Sequence, residues 1–511
     1  MKKQTIINLI AQTMAFGINL CISFFLTPFI VEKIGVEANG FVSLANNFIE
    51  YAQIITVAIN SMAGRFITIS LHQQENNKAN KYFTSVFICN LVMSIFLSIV
   101  SSVVIVFIKD IVNISPEILV DVKILWSFIF ANFILSLFTS IYNVSTFVKN
   151  RLDLSALCNI KGYLIRIFVL LFCYLILDVH VWYIGLALFL MGIYNLIKNI
   201  YYSKKLTPEL KIKKIFFDIN SILELVKAGI WNTLTKLSSI FSSGLDLLIT
   251  NIFISGTAMG IMSLSKTIPT VILSLFGTLS SIFAPGITIS YAKKNNSHIK
   301  SLLNESIKIL GIFASIPLSI LICFGKEFYS LWAPTQDAIL LYNLTLITCA
   351  NLIFCLPLEP LYNIFTVTNK IKISSIALII FSSLSIGTTF ILLNFLTLNE
   401  NMKMFIILGT SSFYNIIRVL TFLPIYSAKC LNFKLNSFYR VILINTLSVF
   451  LLVILGFSIK AFIVIDTWTK LIFVCIIVCI LGLLVNSMIV LTKDDRNYFL
   501  NKITFCKGGR K

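Results

Sequence analysis

Hydrophobic residues are concentrated in long blocks that contain almost no charge, such as Tyr82–Ile108, Ile373–Leu396 and Trp468–Leu491. An α-helix of about 20 apolar residues spans the hydrocarbon layer of a bilayer, which is about 30 Å thick. Strands of a membrane barrel alternate polar and apolar side chains, and these blocks do not. The pattern predicts an all-α, polytopic membrane protein.

The blocks and the polar turns between them predict about fourteen transmembrane helices, which fall at 6–31, 40–71, 82–108, 118–147, 154–177, 180–203, 222–254, 257–291, 302–324, 338–367, 373–396, 403–427, 438–460 and 468–492. We expect an N-terminal lobe of six helices (1–203), a basic cytoplasmic linker (204–221) and a C-terminal lobe of six helices (222–427). Two extra helices (428–492) and a basic cytoplasmic tail (493–511) complete the chain.

The composition agrees with this assignment. The chain has 511 residues, of which 58% are hydrophobic and 12% charged, and its mean hydropathy is +0.93. A soluble domain of this size needs more charge to cover its surface. The start, Met1-Lys2-Lys3 before an apolar stretch, resembles a signal peptide, but the apolar stretch is too long for one. We therefore expect it to be the first membrane helix.

Lysine and arginine, 41 residues against 21 acidic ones, are distributed unevenly between the two sides of the predicted topology. With the N-terminus in the cytoplasm, 27 lie in cytoplasmic segments or the adjoining ends of spans, 7 in outer segments or the adjoining ends of spans, and 7 deeper within spans. Cytoplasmic loops of membrane proteins carry such an excess. The formal charge of +20 therefore indicates that both termini are cytoplasmic, and it requires no nucleic acid as a partner.

The two halves share a weak internal repeat. A shift of 220 residues aligns Gly40–Leu44 with Gly260–Leu264, Ser61 with Ser281, and Ile69-Ser70 with Ile289-Ser290. Because six spans separate the copies, both have the same orientation, so the repeat is parallel, with an axis along the membrane normal. This predicts two related helical bundles around a central cavity, an architecture typical of transporters.

Charged residues within a membrane are costly and mark candidate sites. Cationic side chains within the spans suit a cargo that carries phosphate. This makes five residues candidates for substrate binding: Arg65, which lies nearer the inner surface, and Arg166, Lys236, Lys266 and Arg418, which lie deeper. Lys266 is slightly favoured, because the repeat aligns it with Asn46. The carboxylates Glu50 and Asp246 are candidates for ion coupling. The alternative is that these charges reach the membrane surface or form internal ion pairs, such as Glu50 with a Lys or Arg.

Catalytic motifs are missing from the sequence. The three histidines lie in or beside loops, with no HExxH, GxSxG or P-loop motif. Most of the eleven cysteines lie in apolar blocks without a CxxC pair, where cysteine behaves as a small hydrophobic residue. We expect no enzyme activity, no cofactor and no metal, and an energy source other than ATP hydrolysis.

Two stretches resemble the polysaccharide transporter family, the Wzx-type oligosaccharide flippases of the multidrug/oligosaccharidyl-lipid/polysaccharide superfamily. The first comprises Leu26–Gly35, Gly40–Leu44 and Arg65–Ser70. The second comprises Gly229-Ile-Trp231, Asp246–Ile249 and positions from Ala258 to Trp332. A tyrosine familiar in the family's first turn is replaced by Asn39.

The resemblance implies a flippase that moves an undecaprenyl-diphosphate-linked oligosaccharide from the inner to the outer leaflet of the bacterial cytoplasmic (inner) membrane. It implies membrane lipids as partners, with the polysaccharide polymerase and chain-length machinery as further ones, in the synthesis of O-antigen lipopolysaccharide or capsule. A lipid II flippase or a multidrug exporter of the same superfamily remains open. A membrane polymerase or ligase is less favoured, because the predicted outer loops are short.

Overall fold

The computed structural model describes residues 2–368 and 370–490, and every regular element in this part of the chain is helical. The helices are α1 (Lys2–Lys33), α2 (Val36–His72), α3 (Asn76–Val106), α4 (Ile108–Ile111), α5 (Leu119–Val148), α6 (Leu152–Ile176), α7 (Trp182–Leu206), α8 (Ile219–Ser239), α9 (Asp246–Phe253), α10 (Gly256–Ser281), α11 (Ala284–Ala292), α12 (Asn296–Trp332), α13 (Ala338–Leu358), α14 (Tyr362–Val367), α15 (Ile371–Phe395), α16 (Glu400–Leu420), α17 (Phe422–Cys430), α18 (Tyr439–Lys460) and α19 (Trp468–Ile489).

Thirteen helical stretches of the described chain are long and apolar enough to cross a membrane. Each coincides with a span predicted from the sequence, so the prediction of an all-α polytopic membrane protein is confirmed. The predicted seventh span, 222–254, is instead divided into α8, a π-helix at Ile240–Gly244, and α9. The predicted basic tail, 493–511, lies outside the described residues.

Three other predicted spans are interrupted at or near proline. The span at 338–367 changes from α13 to a 3₁₀ turn at Glu359–Leu361 and then to α14, with Pro357 and Pro360 at the change. Proline has no N–H to continue the helix ladder, although it fits the first turn of a new helix. The second segments of the eighth and twelfth spans, α11 and α17, likewise carry a proline in their first turn or just after it.

The chain divides into two compact units, Met1–Leu264 and Ser265–Lys511. In the first unit, α8 packs along α2, and a core cluster that includes Ile59, Phe83, Ile141 and Leu225 joins these helices to α3 and α5. In the second unit, α12 packs against α13, α18 and α19. The N-terminal lobe (1–203) and C-terminal lobe (222–427) that the sequence suggests stay a prediction.

Within the first unit, α2 and the start of α10 contact each other through residues that the repeat makes equivalent. A Cβ on Gly40 would lie 2.9 Å from the Cα of Gly260, so the backbones approach closely at these glycines. Ser263 Oγ donates a hydrogen bond to Ser43 Oγ at 2.6 Å. Small residues allow such an approach between membrane helices. Both pairs are 220 residues apart, the offset of the sequence repeat.

The predicted linker 204–221 is bound to the N-terminal part of α3. The side-chain amide of Asn80 donates to the carbonyl of Glu209 at 3.1 Å and accepts from the amide of Lys211 at 2.6 Å. Further along, Ser85 Oγ accepts from the amide of Asp218 at 2.9 Å. These bonds satisfy backbone groups that irregular structure leaves unpaired, so the linker follows a defined path into α8.

Candidate functional site

An ion pair joins α2 to α8 in the first unit. Lys236 Nζ lies 3.0 Å from Glu50 Oε2, with 23% of the lysine side chain and 48% of the glutamate side chain exposed. The two helices approach closely because Gly229 of α8 lies directly against the carbonyl group of Ala58 of α2. Separate roles were predicted for these two residues, with an ion pair as the alternative, and the structure brings them together.

One turn beyond Lys236, the helix changes to the π-helix at Ile240–Gly244. A π-segment inside an α-helix leaves carbonyl groups that need other partners, and such segments are frequent at functional sites. The carbonyl oxygen of Gly244 accepts hydrogen bonds from Asn47 Nδ2 at 3.0 Å and Tyr51 Oη at 2.5 Å. The π-helix is therefore attached to the helix that carries Glu50.

Asp246, the second ion-coupling candidate, begins α9 directly after this π-helix and is buried. The hydroxyl group of Tyr51 lies close enough to interact electrostatically with both Asp246 and Glu50. We call Asn47, Glu50, Tyr51, Lys236 and Asp246 the α2/α8 polar cluster. Its two acidic members and its lysine were predicted as site residues. Asn47 and Tyr51 were missed, although their spacing of four residues places them on one face of α2 with Glu50.

Arg166 lies at the middle of α6, on the face of the helix that is buried in the first unit. Only 9% of the residue is exposed. Its Nε has no hydrogen-bond partner among the described residues. Gly162 and Leu170, one turn to either side, are also buried. A buried guanidinium group without a full set of partners carries a desolvation cost that an anionic ligand would offset.

Arg418 of α16 lies buried in the second unit and is held by several hydrogen bonds. Its Nη1 donates to Tyr362 Oη at 2.9 Å, and its Nη2 and Nε donate to Asn415 Oδ1 at 2.6 and 3.2 Å. Asn415 in turn donates to Asn351 Oδ1 at 2.9 Å. The guanidinium group therefore links α13, α14 and α16 through polar contacts.

Glu359 is a charged residue beside Arg418 that was not predicted to be a site residue. It lies on the 3₁₀ turn between α13 and α14, where the Cys355 thiol donates to its Oε1 at 3.7 Å, and its carboxylate interacts with the charge of Arg418. The signal was present, since Glu359 stands between Pro357 and Pro360 inside an apolar block. A carboxylate in that position needs a partner.

The two remaining candidates lie away from these clusters. Arg65 is exposed on the last third of α2, near the predicted cytoplasmic end. Lys266 is half-buried on α10, in the second unit, and its carbonyl oxygen accepts a hydrogen bond from Thr270 Oγ1 at 2.7 Å. Within the described residues, no group of three or more His, Cys, Asp or Glu side chains is placed to hold a metal ion.

Comparison with known proteins identifies relatives of this chain. No protein-family model matches it. The chain is 27% identical over 505 residues to a protein of Bacillus subtilis (strain 168) described as "Uncharacterized membrane protein EpsK", with 98% of each chain covered. The likeness extends over nearly the whole of both chains, and it concerns another membrane protein.

Solved structures with the same fold are transporters. An inward-facing multidrug resistance MATE family transporter of the MOP superfamily superposes with a TM-score of 0.67 at 12% identity, over 84% of this chain and 98% of the other. The lipid II flippase MurJ, in an inward closed conformation, gives 0.66 at 16% identity, over 94% and 98%. An outward-facing MATE transporter gives 0.60 at 14%, over 84% and 96%. This multi-pass membrane protein therefore has a MATE/MurJ-like fold.

Proposed function

We propose that this protein is a flippase that moves an undecaprenyl-diphosphate-linked oligosaccharide from the inner to the outer leaflet of the bacterial cytoplasmic membrane by alternating access. The observation that carries the proposal is the set of basic residues embedded in the membrane spans of a transporter fold, above all Arg166 with its unpaired Nε. A diphosphate is the ligand class that such cations bind best. The distribution of Lys and Arg supports a cytoplasmic position for both termini.

The alternatives are a lipid II flippase and a multidrug exporter. Cationic drugs would require an acidic site, whereas the charges within the spans of this chain are mostly basic. The match to the lipid II flippase also covers more of the chain than the match to the MATE transporter, 94% against 84%. The excess corresponds in length to the two C-terminal helices, α18 and α19. Both observations favour a lipid-linked cargo.

The α2/α8 polar cluster supplies a mechanism for coupling transport to an ion. Lys236 cannot bind a phosphate group and Glu50 at full strength at the same time, because both compete for one ammonium group. When Glu50 binds the coupling ion, Lys236 becomes available to the headgroup. Release of the headgroup restores the ion pair. The π-helix beside Lys236 provides a site at which α8 can bend between the two states.

The remaining basic candidates bind the headgroup at successive positions during transport. Arg65, near the cytoplasmic end, would meet the diphosphate first, while Lys266 and Arg418 would act in the second unit. Asp246 provides a second carboxylate for coupling. The polysaccharide polymerase and chain-length machinery are the proposed partners that use the exported repeat unit.

The test is a gene deletion complemented by single variants. Deletion should strand lipid-linked repeat units in the inner leaflet and remove surface glycan. Arg166→Ala and Lys266→Ala should lower export by about tenfold to a hundredfold, the loss of one charge-assisted contact, with normal protein levels. Arg440→Ala and Lys204→Ala, which remove exposed basic side chains, serve as matched controls. Normal glycan in a deletion strain that has no redundant homologue would refute the proposal.

A further inference from the structure

A long apolar groove lies between α1 and α6 in the first unit. Its volume is about 690 Å³. Along α1 it extends from Met14 to Phe29, which is about 22 Å at the helical rise per residue. The lining residues Phe25 and Leu175 are exposed, so the groove is open along its side.

The lining of the groove is almost free of polar atoms. Aliphatic and aromatic side chains form its walls, and Cys21 and Tyr174 are the polar exceptions among the lining residues. The hydroxyl group of Tyr174 donates to the carbonyl of His180 at 3.3 Å, so it is already satisfied outside the groove. Gly17 forms a hollow in the α1 wall, since a Cβ placed there would meet no atom within 4 Å. The shape and chemistry suit a hydrocarbon chain.

The register of the two helices sets the depth of Arg166 relative to this groove, which its neighbour Ile167 lines. Asn8 Oδ1 accepts from the amide of Asp153 at 3.0 Å at one end of the helix pair, and the rings of Phe29 and Tyr174 are 4.8 Å apart at the other. Both contacts join residues that are 145 positions apart in the sequence, so α1 and α6 are parallel and in constant register. The same separation sets Arg166 level with Cys21, midway along the groove.

A cation at the same depth as an apolar groove suits an amphiphilic ligand, which has an anionic headgroup and a hydrocarbon chain. Leu170, a lining residue, lies one turn from Arg166 on the same face of α6, and the Nε of Arg166 is buried and unpaired. We propose that the α1/α6 groove holds the isoprenoid chain of the lipid-linked cargo while Arg166 binds its phosphate. This inference rests on the proposed function, because it assigns to the groove the lipid part of the same cargo.

The probe that tests the groove is undecaprenyl phosphate with a photoreactive diazirine in its chain, added to the full-length protein in phosphatidylcholine nanodiscs. We expect crosslinks on the lining residues of α1 and α6. Unlabelled undecaprenyl phosphate should compete for them, and dioleoyl phosphatidic acid, which has the same headgroup on acyl chains, should compete about tenfold less well. Equal competition by phosphatidic acid would show an ordinary lipid site and overturn the proposal.

A Cβ at Gly17, a lining residue, meets no atom within 4 Å, so Gly17→Leu should place its side chain in the groove without a backbone clash at Cβ. Leucine also favours the helix more than glycine does, so the variant should fold. It should reduce crosslinking about tenfold, the loss expected when about two methylene groups leave the groove. Gly387→Leu, at another glycine with open space around it, is the matched control. Unchanged crosslinking in Gly17→Leu would refute the groove.

Arg166→Gln should weaken probe binding, and Arg166→Lys should restore part of it. If Arg166→Gln binds as the wild type does, Arg166 is not the phosphate site. The export assay separates the two proposals. If the wild-type protein exports normally and Gly17→Leu crosslinks as the wild type does, the groove proposal alone is refuted. A wild-type protein that crosslinks as expected but is dispensable for surface glycan refutes the proposed function alone.

Discussion

The close contact between α2 and α8 predicts that Gly229→Ala destabilises the first unit. The added Cβ would lie 3.0 Å from the Cα of Ala58 and closer still to its carbonyl group. Backbone atoms of a helix cannot rotate aside, so the helices must separate. Such overpacking costs about 3 kcal/mol at its upper range, and alanine returns about 1 kcal/mol in helix propensity. The net loss of about 2 kcal/mol corresponds to a fall in melting temperature of about 5 °C.

Gly64→Ala is the matched control, because Gly64 lies on α2 and its nearest neighbour would be Val144 Cγ2 at 4.0 Å. This variant gains helix propensity without a clash and should be as stable as the wild type or more so. Thermal unfolding of the purified proteins in one detergent measures both. A melting temperature of Gly229→Ala equal to that of Gly64→Ala would refute the packing described for α2 and α8.

Three further predictions concern charged groups. Glu50→Gln and Lys236→Gln should couple by about 0.5–1 kcal/mol in a double-mutant cycle of stability, as expected for a partly exposed ion pair, and additive effects would contradict the pair. Tyr362→Phe should cost about 1–3 kcal/mol, because the mutation leaves a donor of buried Arg418 without its acceptor; a melting temperature like that of the wild type would show that water replaces the hydroxyl. The pKa of Asp218 is lowered by the hydrogen bond from the Ser221 hydroxyl, so its stabilising effect is complete above the unfolded pKa of about 3.9 and is lost as the pH falls through the folded pKa. Asp218→Asn should therefore remove part of the acid sensitivity seen in melting curves, and identical pH profiles would contradict this.

The membrane spans were predictable because lipid imposes a simple rule. Every backbone group must be bonded within the span, and about 20 apolar residues are needed to cross the bilayer. The helix α18, Tyr439–Lys460, was predicted at 438–460, within a residue at its start. The positions at which the helical spans are interrupted were not predicted, because apolar content does not distinguish a continuous helix from an interrupted one. The π-helix at Ile240–Gly244 is stabilised by Asn47 and Tyr51, which are distant in sequence.

The candidate site was predictable in its residue types and less so in its pairings. A charge inside an apolar block is visible in the sequence, and this is how Arg166, Lys236 and Glu50 were found. Which of these charges form pairs depends on how α2 and α8 face each other. The sequence does not show this for Glu50 and Lys236, which are 186 residues apart. Glu359 was missed although it lies inside the predicted span 338–367, where a carboxylate needs a partner.

The structure orders the basic candidates by what each must give up to bind an anion. Arg418 would have to exchange hydrogen bonds to Tyr362 and Asn415, and it interacts with Glu359. Lys236 would have to leave Glu50, which makes its binding conditional on the state of that carboxylate. Arg166 has an Nε with no bond to exchange in the described part of the chain. Taking an existing partner from a buried charge costs free energy, whereas supplying a partner to an unpaired buried charge does not. Arg166 is therefore suited to binding a headgroup at no cost in existing bonds, Lys236 to binding that an ion controls, and Arg418 to binding that must first exchange its bonds to α14 and to Asn415.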